Sequence, residues 1–228
     1  MTKPVTLDEA RALLGKDVYG PQELAVVFGP LDPKAGELPI PYGLADIEAA
    51  KKAGEMLVLR IANAADGQPI TIVRMIEKIP HAFDRDLLQK TGYQLKSDWG
   101  IELEPLAQRI TCRPGWSFVC KEILSDTRNL SYDEQTPRLR EYAAQLQVSA
   151  DSVRRRTATE AVFDTVVAFV SRGERFLEKS WDWTSSETVD GGYLNIGGFG
   201  PKGMQALSFS GAVRHGALGI CPTRGLRG

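Results

Sequence analysis

The sequence predicts an α+β protein, with a helix-rich leading region followed by a region of short strands and turns. Three observations carry this. Several segments place apolar residues at helical spacing behind a recognisable N-terminal cap. The stretch from Trp181 to Gly228 consists of short alternating runs separated by glycine. The composition, 43% hydrophobic and 25% charged with a net charge of -1, is that of a globular chain able to bury a core without staples.

Residues 6 to 29 read as two short helices. Thr6 followed by Glu9 forms a capping box, in which hydroxyl and carboxylate each take an orphan amide, and Gly15 ends that helix. Gly20-Pro21 opens the second, with proline where no amide is needed, and Gly29 closes it. Two adjacent helices suggest a DNA reader. Gln22 to Phe28 carries no arginine or lysine, which favours a helical cap instead. Residues 30 to 43 are proline-rich and read as a surface loop.

Leu44 to Gly54 is a short helix, Met56 to Ile61 an apolar strand with Arg60 near its end, Asn63 to Pro69 a turn, and Thr71 to Ile79 a further helix. Ile101 to Leu106 alternates and predicts an edge strand that Pro105 ends. After the Pro114-Gly115 turn, W-S-F-V-C alternates as a strand. The next helix lies within Ser131 to Leu146, with Thr136 as its cap and Pro137 at its first position. Thr157 and Glu160 form another capping box. Val162, Phe163, Val166, Val167, Phe169 and Val170 then give the widest apolar helix face in the chain, ended at Arg172-Gly173.

Few motifs carry chemistry. Gly198, Gly200 and Gly203 match G-x-G-x-x-G, but Pro201 and the alternating run M-Q-A-L-S-F-S follow where a phosphate-holding helix is required. A glycine-bent hairpin fits better. Cys221 and Arg227 have the C-x5-R spacing of a phosphate-cradling thiol site, with no helix to follow. His81 and His215 have no ligand partner at metal spacing, so no metal or cofactor is expected. Glu102 and Glu104 would share one face of the predicted edge strand, as paired carboxylates in acid/base sites do; exposed edge glutamates are the plainer reading. Arg154-Arg155-Arg156 reads as a solvated helix entry. Trp181 and Trp183 share a strand face, and at least one belongs to the core.

Near-neutral charge argues against nucleic acid as a partner. No apolar run has the length of a membrane span. Three cysteines, Cys112, Cys120 and Cys221, cannot all pair within one chain. With no secretory signal, they point to a reducing, cytoplasmic setting. No acidic residue follows Asp190, whereas Lys202, Arg214, Arg224 and Arg227 do, which predicts a basic tail.

From residue 116 the order is strand, two helices, then several strands ending at Ile220 to Arg224. That order resembles a C-type-lectin-like fold, in which first and last strands pair and two helices flank a small twisted antiparallel sheet. The run W-T-S-S-E at 183 to 187 is similar to a sequence in bacterial lectin-like C-terminal modules, and L-G-I-C-P-T-R occupies the place of their last strand. Gly115 to Val119, Trp183 to Ser186, Gly192 to Phe199 and Leu218 to Arg224 also resemble proteins of candidate-phylum bacteria. Through these the chain is similar to the variable proteins of diversity-generating retroelements.

The resemblance implies a helical region at 1–110 and a lectin-like domain at 111–228. It also implies a non-enzymatic protein that displays variable side chains to a protein or other macromolecular ligand. The calcium-lectin runs E-P-N and W-N-D are absent, which sets it apart from calcium-dependent sugar binding. Leu194 and Ile196 form the natural core side of their strand. Tyr193 and Asn195 then face outward, with Lys202, Gln205, Ser208, Arg214 and His215 nearby. Two other readings of these residues stand beside it: that they merely solvate a sheet, and that the chain is an enzyme using Cys221 or the pair Glu102 and Glu104.

Overall fold

The computed structural model describes residues 4–31, 38–84 and 101–225. Parts of the predicted loop at 30 to 43 and of the stretch from 80 to 111, together with Arg227, lie outside the described residues. Among the described residues the fold is mixed α and β, with seven α-helices and two sheets.

The first sheet gathers strands from the whole chain. β1 (Val18–Tyr19) runs parallel to β2 (Glu55–Arg60). β2 pairs antiparallel with β3 (Gly115–Cys120) over its full length, from Glu55 opposite Cys120 to Arg60 opposite Gly115. β9 (Pro222–Arg224) lies between β3 and β4 (Val153–Arg155), antiparallel to both. The leading region therefore supplies two strands of a sheet that the later region completes. The second sheet has the order β7 (Gly203–Phe209), β6 (Tyr193–Gly200), β5 (Trp181–Glu187) and β8 (Leu218–Gly219).

The helices follow their caps. α1 (Leu7–Leu14) carries the Thr6–Glu9 capping box, and α2 (Pro21–Phe28) starts on proline. α3 is Leu44–Ala53, and α4 (Ile72–Lys78) has Thr71 as its cap. α6 (Tyr132–Gln145) departs from expectation. Ser131 caps it through a box with Glu134, and Pro137 sits inside. Pro137 lies on the exposed side, where water can satisfy the carbonyl that loses its partner. The expected strand at Ile101 to Leu106 is instead a 3-10 turn at Ile101–Leu103 followed by α5 (Pro105–Arg109). Pro105 occupies the first turn of that helix, where its missing amide costs nothing. Proline here starts a helix rather than ending a strand.

α7 (Ala158–Arg172) is the centre of the molecule. Every residue from Ala158 to Ala168 is buried, so the helix is covered all round, as only an interior helix is. That burial includes Glu160 and Asp164, which are held by arginines from the first sheet and the turn that follows it. Arg60 of β2 donates to Asp164 through Nε at 2.9 Å and Nη2 at 2.6 Å, and its Nη1 lies 3.1 Å from Glu160. Arg156 donates to Asp164 at 3.1 Å and, through Nε, to Asp182 of β5 at 2.9 Å. Arg154 holds both oxygens of Glu160 at 2.7 Å. The Arg154–Arg156 run is thus a strand end whose second and third residues are buried, not a solvated helix entry. Arg156 keeps its charge because Asp164 and Asp182 face it, whereas Arg155 donates to neutral oxygens of Gln135, Trp183 and Tyr132.

A pH dependence follows. Burial alone would raise the Glu160 carboxyl. Arg60 and Arg154 outweigh it and hold the group at about 2. An unfolded glutamate titrates near ~4.3. The stabilisation is therefore complete above that ordinary value and is lost as pH falls through about 2. Urea midpoints are expected to fall steadily as the pH is lowered from about 5, and less steeply in Glu160→Gln. Equal slopes for the two proteins would contradict the assignment.

Candidate recognition surface

The second sheet is covered on both faces. Leu194 and Ile196 join the main core, and α7 packs against β5 and β6. On the other face, Trp183 is wholly buried and meets the Tyr132 ring edge-on at 5.5 Å. Tyr193 stacks on Tyr132 at 3.8 Å with an 8° interplanar angle, and the Arg155 guanidinium lies 3.9 Å from the centre of the Tyr132 ring. Two groups so close to one ring cannot share a face. Tyr132 is therefore sandwiched between Arg155 and Tyr193. Arg155 is itself fixed by Trp183 O at 2.9 Å, Gln135 Oε1 at 3.1 Å and Tyr132 O at 2.8 Å.

This changes the expected display. Asn195 does not face outward: it is 0% exposed, and its Nδ2 donates to Tyr193 O at 2.9 Å. Ser208 is also buried and lies 3.4 Å from the Thr188 hydroxyl. Asn195 stands on the same face as Tyr193, as alternation requires, whereas Ser208 lies opposite Leu194 in register and so shares the core side. Tyr193 and Gln205 are half-buried, while Lys202, Arg214 and His215 are exposed. Trp183 provides the expected core tryptophan, and Trp181 is half-buried. The basic tail is largely neutralised: Arg224 is buried and donates to Glu55 at 2.8 Å, and Arg214 pairs with Glu134 at 2.7 Å.

The glycine spacing serves the hairpin. β6 and β7 are joined through Pro201 and Lys202, with Gly200 opposite Gly203. Gly203 has φ +120°, and a Cβ there would lie 2.3 Å from the carbonyl carbon of Phe83. The glycine is required by close backbone approach, not by a phosphate.

The loop between β7 and β8 is held through its backbone. Tyr132 N donates to Gly211 O at 2.9 Å, Asn129 N to His215 O at 3.3 Å and Trp181 N to Ala217 O at 2.8 Å. Arg128 Nη1 reaches Gly216 O at 2.7 Å. Ala212, Arg214 and His215 are exposed; Arg214 is held by Glu134, and His215 Nδ1 accepts from Ala217 N at 3.1 Å. Beside Arg128 lies a cavity of about 420 Å³ lined by Glu122, Arg128, Arg175, Glu178, Lys179 and Ser180.

Cys112, Cys120 and Cys221 are free and buried. Burial raises the Cys221 thiol well above its ordinary value, with Asp182 adding to the shift, and pushes Cys120 up to about 12. A thiolate nucleophile at Cys221 is therefore disfavoured. The native chain is expected to leave Cys221 unmodified by a neutral-pH thiol reagent until urea unfolds it; rapid labelling of the native protein at Cys221 would reverse this conclusion. Glu102 is exposed on the 3-10 turn, whereas Glu104 is buried, its carboxyl raised by burial and one oxygen accepting from Val189 N at 3.2 Å. They do not share a strand face. Among the described residues, no group of three or more His, Cys, Asp or Glu side chains is arranged to hold a metal ion, and no helix is long and apolar enough to cross a membrane.

No family model, curated protein or solved structure matches this chain.

Proposed function

We propose that this protein is a non-enzymatic recognition module with a C-type-lectin-like later region, presenting the loop at 210–217 and the β6–β7 hairpin to a macromolecular ligand. The observation that carries the reading is the way the loop is anchored. Its carbonyl groups are tied to residues 128, 129, 132 and 181, while Ala212, Arg214 and His215 are exposed. Such a loop can change its side chains without changing its path, which suits a surface that selects ligands by side-chain identity.

Two further features support the reading. The strand Gly115–Cys120 pairs with the late strand Pro222–Arg224, and α6 and α7 lie between them in sequence. Tyr193 offers a half-buried aromatic surface backed by Tyr132 and Arg155, so little side-chain entropy is lost on contact. The ligand would meet the exposed Lys202 side chain and the Arg214–Glu134 pair, and mixed charge at the 420 Å³ cavity.

The test randomises Ala212, Val213, Arg214 and His215 together and measures protease resistance across the library. Most members are expected to stay within ~0.5 kcal/mol of the native stability, as surface changes usually do. Arg214→Ala with His215→Ala is expected to abolish retention of a ligand captured by the immobilised native chain. If most library members unfold, or if the double variant retains the captured ligand unchanged, the display reading fails.

A further inference from the structure

Beneath the Tyr132–Tyr193 stack lie two polar atoms that the protein itself leaves without partners. Trp183 and Asn195 are cross-strand neighbours in register on β5 and β6, so their side chains share one face of the sheet. Both residues are 0% exposed. Trp183 Nε1 and Asn195 Oδ1 are buried and meet no hydrogen-bonding group of the protein. Buried polar groups are almost always satisfied, so a coincident pair of exceptions calls for a cause.

The two atoms are complementary in kind. The indole nitrogen only donates, and the amide oxygen only accepts. The amide orientation is fixed, because Nδ2 donates to Tyr193 O at 2.9 Å. Reversing it would set two acceptors against each other. Side chains directly opposite on antiparallel strands have Cβ atoms about 4.5–5.5 Å apart, so the two orphan atoms belong to adjoining side chains on one face.

We propose that Trp183 and Asn195 form a binding site for a single structural water, which accepts from Trp183 Nε1–H and donates to Asn195 Oδ1. A buried water requires two or more polar partners, and these supply them. The tyrosine stack then closes over a hydrated polar pair rather than over dry core. Asn195, buried among apolar neighbours, gains a role that surface display does not give it. This inference holds whatever the loop at 210–217 recognises.

High-resolution crystallography of the whole chain, alone and as Trp183→Phe, decides it. The expected result is one ordered solvent peak within hydrogen-bonding distance of both atoms, lost in Trp183→Phe. In solution, the indole proton removed by that substitution is expected to show a cross-peak to a long-lived water. A direct Trp183–Asn195 hydrogen bond, or an indole proton with neither solvent density nor a water cross-peak, overturns the proposal. Should Trp183→Phe fail to fold, the native crystal and the native indole cross-peak decide between the same two outcomes.

Discussion

Asp164→Ala is expected to lower the unfolding free energy by about 3–5 kcal/mol, read from urea denaturation at neutral pH. Asp164 accepts two hydrogen bonds from Arg60 and one from Arg156. All three side chains are at most 2% exposed. Removing the carboxylate leaves two guanidinium groups in the interior, one with Glu160 and the other with Asp182 as its remaining partner. The cost comes from those stranded charges rather than from the pair itself. A joint replacement of Arg60, Asp164 and Arg156 by apolar residues of similar volume is therefore expected to cost less than the single change. A loss below ~1 kcal/mol for Asp164→Ala would mean that water reaches the network.

Gly203→Ala is expected to cost about 3 kcal/mol, from left-handed strain together with overpacking. The added Cβ would fall 2.3 Å from Phe83 C and 2.6 Å from Asp84 N. Those are backbone atoms, and Asp84 N donates to Met204 O at 3.0 Å, so relief requires breaking that contact. Gly200→Ala makes the control: a Cβ there meets nothing closer than 3.9 Å, at Gly198 O. Thermal unfolding of the two variants is expected to separate them by more than about 5 °C. Equal midpoints would show that the β6–β7 hairpin shifts freely.

These two sites mark how far the sequence can be read. The caps at Thr6 and Thr157, the wide apolar face of α7 and the glycine hairpin follow local rules, and the structure shows them in place. Ser131–Glu134 obeys the same rule, but Pro137 hides it, because an interior proline argues for a later start than the exposed face of α6 demands. Arg155 and Arg156 read as solvated because isolated charges belong in water. Arg156 finds Asp182 26 residues away and Arg155 finds Gln135 20 residues away, and no local pattern announces either. Asn195 shows a different limit. Alternation assigns side chains to two faces, but it does not say that Tyr132, from a helix far earlier in the chain, covers the second one.

β9 lies in the middle of the first sheet, yet it is synthesised after every strand that flanks it. β3 and β4 have no strand to join them until residues 156 to 221 have been made. Arg224 reaches back 169 residues to Glu55, so the same late segment also neutralises an interior carboxylate. The interior of this sheet therefore cannot close until its last-made strand is in place. A ribosome that stalls before Pro222 would expose a split sheet with two open edges, the form most prone to pair with another chain.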